Sequence, residues 1–237
     1  MRVLREDLFD LNDQAEITIK EIGEENSQLV VIDQLFAHPH DISGLFNDML
    51  FSQDEVLRSS SPCYRSLLSQ RGGLKPLFRK LFELMYPRYG VTDMKMNLMN
   101  FDQYWDHSPI VKVSSYPPHV DFLEQKPEDY RNYALVIYMN REHIHGGTQF
   151  VKKRYDGRWI ETITQQKEQA ELELGDDVII PNRYHPWDYD EVNLKRYHLE
   201  PMKFNRLISY RTNVLHSIYT DGDFYRNTPR KIITSTF

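Results

Sequence analysis

The sequence predicts a mainly β protein in which a barrel or a double sheet follows a short helical segment. From residue 94 onward, short runs with period-two alternation are separated by clusters of Gly, Pro, Asn and Asp. Helical spacing of apolar residues is confined to two segments before residue 94. The length of 237 residues suits one domain of the size common among all-β folds. We therefore expect a single domain over residues 1–237.

The N-terminal part, residues 1–93, is expected to begin with a hairpin. Residues 16–22 alternate in strand fashion, and residues 28–33 are rich in β-branched side chains. The polar residues between them have turn character. The two segments are therefore predicted to pair as neighbouring strands.

Two helices are predicted after this hairpin. Asp41 suits an N-cap position before a helix over residues 41–52, where apolar residues recur at spacings of three and four. A second helix is predicted over residues 74–85, which have the same spacing, and Pro87 lies just beyond its end. Because each helix has one apolar face, we expect both to pack on a sheet.

The remaining part, residues 94–237, is predicted to form the β core. Its period-two segments, bounded by turn residues, are typical of strands rather than of alternating strands and helices. The predicted strands cover residues 94–104, 133–139, 148–152, 159–164, 177–180, 207–210 and 231–237.

A long loop is predicted over residues 182–204. Polar residues predominate in this stretch, and its aromatic residues follow no regular period. Loops of this length in a compact domain are often lids or substrate rims. We therefore expect this segment to lie over a functional site.

Composition argues against several classes of protein, namely nucleic-acid-binding, membrane and secreted proteins. The net charge of −6 gives no long-range attraction for phosphate backbones, so a nucleic-acid partner is not expected. No apolar run approaches the roughly 20 residues that cross a bilayer, and the N-terminus lacks the apolar stretch of a signal peptide. The single cysteine, Cys63, cannot form an internal disulfide, which fits a reducing compartment. The expected location is the cytoplasm, without a membrane partner.

A His-x-Asp pair and a distant histidine form a candidate metal site. Because alternate residues of a strand point to the same face, His119 and Asp121 share one side, and His216 can complete a three-ligand set. Two imidazole nitrogens and one carboxylate oxygen, with the other positions open, suit non-haem Fe(II). His185 and His198 are rivals to His216, but both fall in the predicted polar loop, where a ligand is harder to hold rigidly.

Several motifs in the second half of the chain form an ordered series. They are Tyr116–Phe122 (YPPHVDF), Tyr133–Asn140 (YALVIYMN), Gly146–Phe150 (GGTQF), Asn205–Tyr210 (NRLISY) leading to Leu215–Ser217 (LHS), and Pro229–Phe237 (PRKIITSTF). In this order the series resembles the 2-oxoglutarate and Fe(II)-dependent oxygenases, in particular their prolyl-4-hydroxylase-like branch. The resemblance covers roughly residues 94–237 and implies a double-stranded β-helix, a jelly-roll or cupin-like fold, whose mouth holds iron, 2-oxoglutarate and O2.

The resemblance implies a dioxygenase that hydroxylates an unactivated C–H bond while 2-oxoglutarate is decarboxylated to succinate. His119, Asp121 and His216 would be its catalytic metal ligands. The expected partners are O2 and an amino acid, a peptide or a small metabolite as substrate, with a homodimer left open. Two other functions stay open: a cupin-like module that binds metal or ligand without catalysis, and a non-redox metalloenzyme that uses Zn or Mn.

The resemblance also implies a cation for the far carboxylate of 2-oxoglutarate. Arginine suits this role because its planar, permanently charged group binds carboxylates in bidentate fashion. Arg230 opens the last predicted strand, and the strand register directs its side chain inward on the same face as Thr234. Arg226, at the separation from the last metal ligand often seen in the family, stays an alternative. By similarity, Tyr138 and Thr234 would contact the same carboxylate, and Tyr116 would line the substrate side of the iron.

Overall fold

A computed structural model describes residues 6–52, 63–66, 100–104, 118–121, 133–142, 146–155, 157–162, 193–219 and 224–236, together with residue 165 and most residues between 77 and 85. Antiparallel strands dominate the described residues, and two short helical segments accompany them. The mainly β fold class is therefore confirmed.

The predicted hairpin is present. Strand β1 (Glu16–Ile22) pairs antiparallel with β2 (Ser27–Asp33), and Glu16 lies opposite Asp33. The turn between the strands uses Gly23 with a φ of 74°, a left-handed conformation that glycine adopts without steric cost.

Helix α1 (Pro39–Asp48) differs from the predicted range at both ends. It begins two residues before Asp41, because proline fits the first turn of a helix, where its missing N–H is not needed. It ends at Asp48, so the prediction that it reaches residue 52 is wrong. Strand β3 (Phe51–Ser52) follows, and Phe51 stacks on Phe46 with ring centroids 5.9 Å apart.

The described residues between 77 and 85 are helical, in agreement with the second predicted helix. Leu77, Leu81 and Met85 recur at a spacing of four, and all three are fully buried. Together with Ile42 and Phe46 of α1 they belong to one hydrophobic cluster on a sheet face. The expected packing of the helices on a sheet is therefore present.

Within the described residues, the larger sheet has eight antiparallel strands. Besides β1, β2 and β3 it contains β4 (Cys63–Ser66), β5 (Asn100–Tyr104), β6 (Tyr133–Tyr138), β10 (Arg206–Arg211) and β12 (Arg230–Thr236). The strand order is β1-β2-β10-β6-β12-β5-β4-β3. The long connections between neighbours such as β2 and β10 bring distant parts of the sequence side by side.

In the part of the chain that the structure describes, the smaller sheet has four strands, which are β7 (Gly147–Tyr155), β8 (Arg158–Ile160), β9 (Leu194–Pro201) and β11 (His216–Tyr219). Strands β11 and β8 pair with successive parts of β7 along one side, and β9 pairs along the other. A register shift interrupts the β7–β9 ladder between Phe150 and Val151.

Strand β9 corrects the prediction of one long loop over residues 182–204. Residues 194–201 are a strand of eight residues, and only residues 182–192 lie outside the described part of the chain. Apolar alternation did not reveal this strand because His198 and Glu200 occupy one of its faces. Of the other predicted strands, residues 94–99 and 177–180 also lie outside the described residues.

Both faces of the larger sheet are buried at its central strands, whereas the edge strand β1 is largely exposed. In β6 the side chains of Leu135 and Ile137 belong to the helix-covered cluster, whereas those of Val136 and Tyr138 belong to a second cluster. This second cluster also includes Phe150 of β7, so it lies between the two sheets. Among the described residues, no helix is both long and apolar enough to cross a membrane.

Candidate metal centre

His119 and His216 meet at the edge of the smaller sheet. An isolated β-bridge joins them through two backbone hydrogen bonds of 2.8 and 2.9 Å between their N–H and C=O groups. His216 is the first residue of β11, and Pro118 favours the extended backbone that brings His119 alongside. The two rings are tilted, with centroids 4.5 Å apart.

Asp121 completes a group of three possible metal ligands. Its carboxylate oxygens lie 3.6 Å from His119 Nε2 and 3.3 Å from His216 Nε2. One ligand atom from each residue lies within 4.8 Å of the other two. Metal–ligand bonds of roughly 2.0–2.2 Å place neighbouring ligand atoms on one ion roughly 3 Å apart, so small shifts suffice for a metal to fit. These are the three ligands predicted from the sequence.

The ring orientation of His216 suits metal binding. Its Nδ1 lies 2.9 Å from the Val214 carbonyl, which can only accept, so Nδ1 carries the hydrogen. In its neutral form the ring directs the Nε2 lone pair at Asp121, which offers only lone pairs, and in its protonated form Nε2 donates a hydrogen bond to that carboxylate. A positive charge has to stand between two such acceptors, either a proton on Nε2 or a metal ion. The hydrogen bond from Nδ1 to a carbonyl is the usual support for a metal-binding histidine.

Asp121 is ionised at neutral pH. Burial opposes its ionisation, but the charge and hydrogen bond of His216 and the charge of His119 outweigh this effect and lower the pKa of Asp121 to about 2. Metals bind the deprotonated form of a carboxyl group. The site can therefore bind a cation without first releasing a proton from Asp121.

Arg230 is the second unusual feature of the space between the sheets. It is the first residue of β12 and is only 2% exposed. Its guanidinium lies 5.4 Å from the ring of Tyr138 and 5.9 Å from that of Tyr104, and its Nη2 lies 3.5 Å from Thr148 Oγ1. Its Nε has no hydrogen-bond partner among the described residues, and no carboxylate of the described chain pairs with it. We call this surrounding the anion pocket: Arg230, Tyr138, Tyr104 and Thr148.

Tyr138 lies at the end of β6, opposite Ile232 of β12. Its hydroxyl is hydrogen-bonded to Thr148 Oγ1 at 2.8 Å. Burial raises the pKa of Tyr138, while the charge of Arg230 acts in the opposite direction. Since Tyr138 and Thr148 come from different sheets, their contact joins the sheets beside Arg230.

Thr234 and Arg226 lie apart from the anion pocket. Thr234 is on the same face of β12 as Arg230, but its hydroxyl donates to Asp102 at 2.9 Å, and Asp102 is paired with Arg65 at 2.9 Å. Thr234 lies four residues along β12 from Arg230, a backbone distance of roughly 13 Å. Arg226 is exposed in a 3-10 turn at Phe224–Arg226. Of the two predicted arginines, only Arg230 is buried between the sheets.

Of the two rival histidines, His198 is described, and it is not part of the three-ligand group. His198 lies in β9, and its Nε2 is 3.4 Å from buried Glu200, so its predicted loop position is wrong. His185 lies outside the described residues, as does Tyr116, which was predicted on the substrate side of the metal.

Tyr210 is a site residue that the sequence reading missed. It is the fifth residue of β10, is only 2% exposed and contacts His216 edge to face with ring centroids 4.7 Å apart. Burial first, and then the charge of Asp121, raise the pKa of Tyr210 well above its ordinary value. Its position follows from strand alternation, because it shares a face with Ile208, which also belongs to the cluster between the sheets.

The fold and the site define a mainly β protein with a candidate three-residue metal site and a buried arginine in the same space. The model of a family described as a family of unknown function, DUF6445, matches residues 13–227. The chain belongs to this family. A comparison with curated proteins gave no match.

Proposed function

We propose that this protein is an Fe(II)- and 2-oxoglutarate-dependent dioxygenase built on a double-stranded β-helix. The observation that carries the proposal is the combination of three converging metal ligands with a buried arginine that has no carboxylate partner among the described residues. Three protein ligands leave room on an octahedral ion for a chelating keto acid and for O2. The arginine offers the charge that the far carboxylate of such a keto acid needs.

The strand register indicates how far the metal ligands lie from the buried arginine, and this distance supports the proposal. His216 lies opposite Phe150 across the β11–β7 ladder, and Ile218 lies opposite Thr148. Thr148, which is hydrogen-bonded to Arg230, therefore lies two residues along β7 from Phe150, the residue opposite His216. Two strand residues correspond to roughly 7 Å. This distance is comparable with the length of 2-oxoglutarate. One small dicarboxylate could then reach both the metal ligands and the anion pocket.

The sheets support the proposed fold. Two antiparallel sheets enclose an apolar cluster, and the candidate ligands lie at one end of it. Opposed antiparallel sheets are the architecture of jelly rolls and cupins. Buried side chains such as Phe150, Ile208 and Val214 would keep water from the reaction.

In the proposed reaction His119, Asp121 and His216 hold the metal, and Arg230 and Tyr138 hold the far carboxylate of the co-substrate. When bound, Fe(II) and 2-oxoglutarate supply O2 activation coupled to decarboxylation, which yields succinate and hydroxylates an unactivated C–H bond. The substrate would be an amino acid, a peptide or a small metabolite.

An anaerobic titration tests the proposal. The purified protein is loaded with Fe(II) and titrated with 2-oxoglutarate, and we expect the weak visible charge-transfer band of a keto acid chelated to iron. After O2 is admitted, we expect succinate. Asp121→Ala should lose both signals, whereas Asp13→Ala, which changes an exposed carboxylate in the turn before β1, should keep them. Succinate formation by Asp121→Ala would contradict the ligand assignment.

The same experiment separates the alternatives. A cupin-like binding module would not bind the metal and 2-oxoglutarate together and would form no succinate. A non-redox metalloenzyme would bind Zn or Mn at the three ligands, and 2-oxoglutarate would leave the metal spectrum unchanged. Either result in the unmodified protein would overturn the proposal.

A further inference from the structure

Strand β1 lies at one edge of the larger sheet. It pairs with β2 along one side, and no other described strand pairs with it. Its first four side chains, Glu16 to Ile19, are exposed, although alternate residues of a strand face opposite sides of the sheet. The N–H and C=O groups along such an edge can pair with a further strand. Within the described residues, the outer side of β1 is therefore unpaired.

Two isoleucines of β1 lie on the same face of this edge. Ile17 is opposite Ile32 of β2, and its side chain is 38% exposed. Ile19 is opposite Val30 and is 50% exposed. Ile32 and Val30 belong to the helix-covered cluster, so the two isoleucines extend the apolar face of the sheet to its rim. A further strand with apolar residues at the same level would cover them.

The sequence of β1 is complementary to itself in one antiparallel register. When Thr18 of one copy lies opposite Thr18 of a second copy, Ile17 faces Ile19 of the second copy. On the other face of the sheet, Glu16 then faces Lys20 of the second copy. Two-fold symmetry forms each of these pairs twice. Apolar pairs and opposite-charge pairs at directly opposed positions both stabilise antiparallel strands.

Neighbouring registers lack this complementarity. A two-fold axis perpendicular to the sheet keeps each residue on its own face, so the axis can move only from one residue of β1 to the next. With the axis at Ile17, neither Glu16 nor Lys20 faces an opposite charge. With the axis at Ile19, Ile17 faces Glu21. Of the three registers, the first alone matches both the apolar and the charged side chains.

Lys20 does not protect the edge from a second strand. Lysine on an edge strand commonly prevents strand addition by placing a charge there. Here the Lys20 ammonium is directed to Glu200 of β9 at 2.6 Å, and its side chain stays 37% exposed. An ammonium has three N–H donors, so Lys20 can keep Glu200 and also donate to Glu16 of a second copy.

We propose that the outer side of β1 is a dimerisation surface, at which two copies of the chain pair antiparallel around Thr18. The two larger sheets then form one continuous sheet across a two-fold axis. The interface contains none of the candidate metal ligands, which lie in β11 and beside it, so it is independent of the proposed function.

The mass of the unmodified protein in solution is the first test. Light scattering and sedimentation over a concentration series from about 1 μM to about 1 mM should show a change from monomer to dimer. Hydrogen exchange of residues 16–20 should become slower as the dimer forms, because the outward amides of β1 are then hydrogen-bonded. A monomer over the whole series would overturn the proposal, whatever other protein binds this edge.

Two double variants test the register. Ile17→Lys combined with Ile19→Lys places lysine opposite lysine at both pairs, whereas Ile17→Lys combined with Ile19→Glu places lysine opposite glutamate. Both variants remove the same isoleucines, so they differ only in the sign of one charge. The dimer dissociation constant of the first should exceed that of the second by about 10-fold or more. Equal dissociation constants, or no dimer in either variant, would overturn the register and the proposal with it.

Leu50→Lys is the control for a change of an exposed apolar residue to lysine. Leu50 is 82% exposed and lies outside β1, so this variant should dimerise like the unmodified protein. Loss of the dimer in Leu50→Lys would show non-specific association and would overturn the proposal. Circular dichroism checks that the double variants fold. If either does not, the hydrogen exchange of the unmodified protein decides: protection of residues 16–20 that does not change with concentration refutes the interface.

Discussion

Replacing Arg230 by methionine distinguishes the effect of the buried cation on the stability of the ligand-free protein from its effect on 2-oxoglutarate binding. Methionine keeps an unbranched side chain of similar length and removes the charge. In the ligand-free protein, Arg230 has two aromatic rings and one long hydrogen bond in place of a carboxylate. Its desolvation opposes these contacts. We therefore expect Arg230→Met to change the free energy of unfolding by no more than about 1 kcal/mol.

The effect on ligand binding should be much larger. Removing one partner of a buried, hydrogen-bonded charge pair costs about 2–5 kcal/mol, so the dissociation constant for 2-oxoglutarate should rise by roughly 30-fold or more. At 2-oxoglutarate equal to 100 times the dissociation constant, ligand binding stabilises the unmodified protein by about 2.7 kcal/mol. The variant at the same concentration should gain at most about 0.9 kcal/mol.

Thermal unfolding with and without 2-oxoglutarate, in the presence of Mn(II), measures this difference. For a protein of this size, 2.7 kcal/mol corresponds to a rise in Tm of roughly 5–11 °C. Arg226→Met is the control, because Arg226 is exposed in the neighbouring 3-10 turn. It should keep the full rise. A full rise in Arg230→Met, or its loss in Arg226→Met, would refute the assignment of the anion pocket.

Two further predictions concern stability away from the metal. The hydrogen bond from Arg206 lowers the pKa of Asp33 to about 2 against the opposing effect of burial, so this carboxylate stabilises the fold above its unfolded pKa of 3.8. That contribution, about 2 kcal/mol, should be lost as the pH falls from 4 to 2, and urea unfolding should show a smaller pH effect in Asp33→Asn. If both proteins lose stability equally, the assignment is wrong. Gly23→Ala should destabilise the fold by roughly 1–3 kcal/mol more than Gly157→Ala in chemical denaturation, because only at Gly23 would the new Cβ meet Glu161, at 2.1 Å. Both glycines have positive φ, 74° and 81°, so equal effects would show that backbone strain alone matters.

The fold could be predicted from the sequence where alternate residues of a strand are buried on opposite faces of a sheet. Strand β12 is predicted well because alternate residues face opposite sides of the larger sheet, Ile232 towards the smaller sheet and Ile233 towards the helices. The same alternation placed Arg230 on the face between the sheets. That this face points inward was implied by the family resemblance, because the register alone says only which residues share a face.

Strand β9 was missed because polar and charged residues predominate in it, and one of them is buried in ion pairs. Glu200 is 1% exposed and accepts hydrogen bonds from Lys20 of β1 at 2.6 Å and from Arg206 of β10 at 2.8 Å. These three residues are far apart in the sequence, and each alone is typical of an exposed surface. Only the sheet topology shows that their charges neutralise one another.

The neighbours of the metal ligands could be predicted only in part. His119, Asp121 and His216 were predicted because they stand in an ordered series of motifs that resembles an oxygenase family, since a His-x-Asp pair alone is common by chance. Thr148 and Tyr210 were missed because their place depends on the register between strands, which sequence patterns do not fix at this range. Thr234 shows the opposite error: it has the expected strand face but bonds to Asp102 instead.

The polar groups between the sheets form two sets, one that suits a positively charged ligand and one that suits a negatively charged ligand. At one end, the two histidines and Asp121 lie near one another and offer ligand atoms that a metal ion could bind. Towards the other end Arg230 offers a charge and an N–H for which the described residues supply no acceptor. A protein without a ligand would be more stable with apolar residues at these positions, because unpaired buried polar groups oppose folding. A metal bound to a small dianion satisfies both ends at once, so the fold should gain most stability when the two bind together.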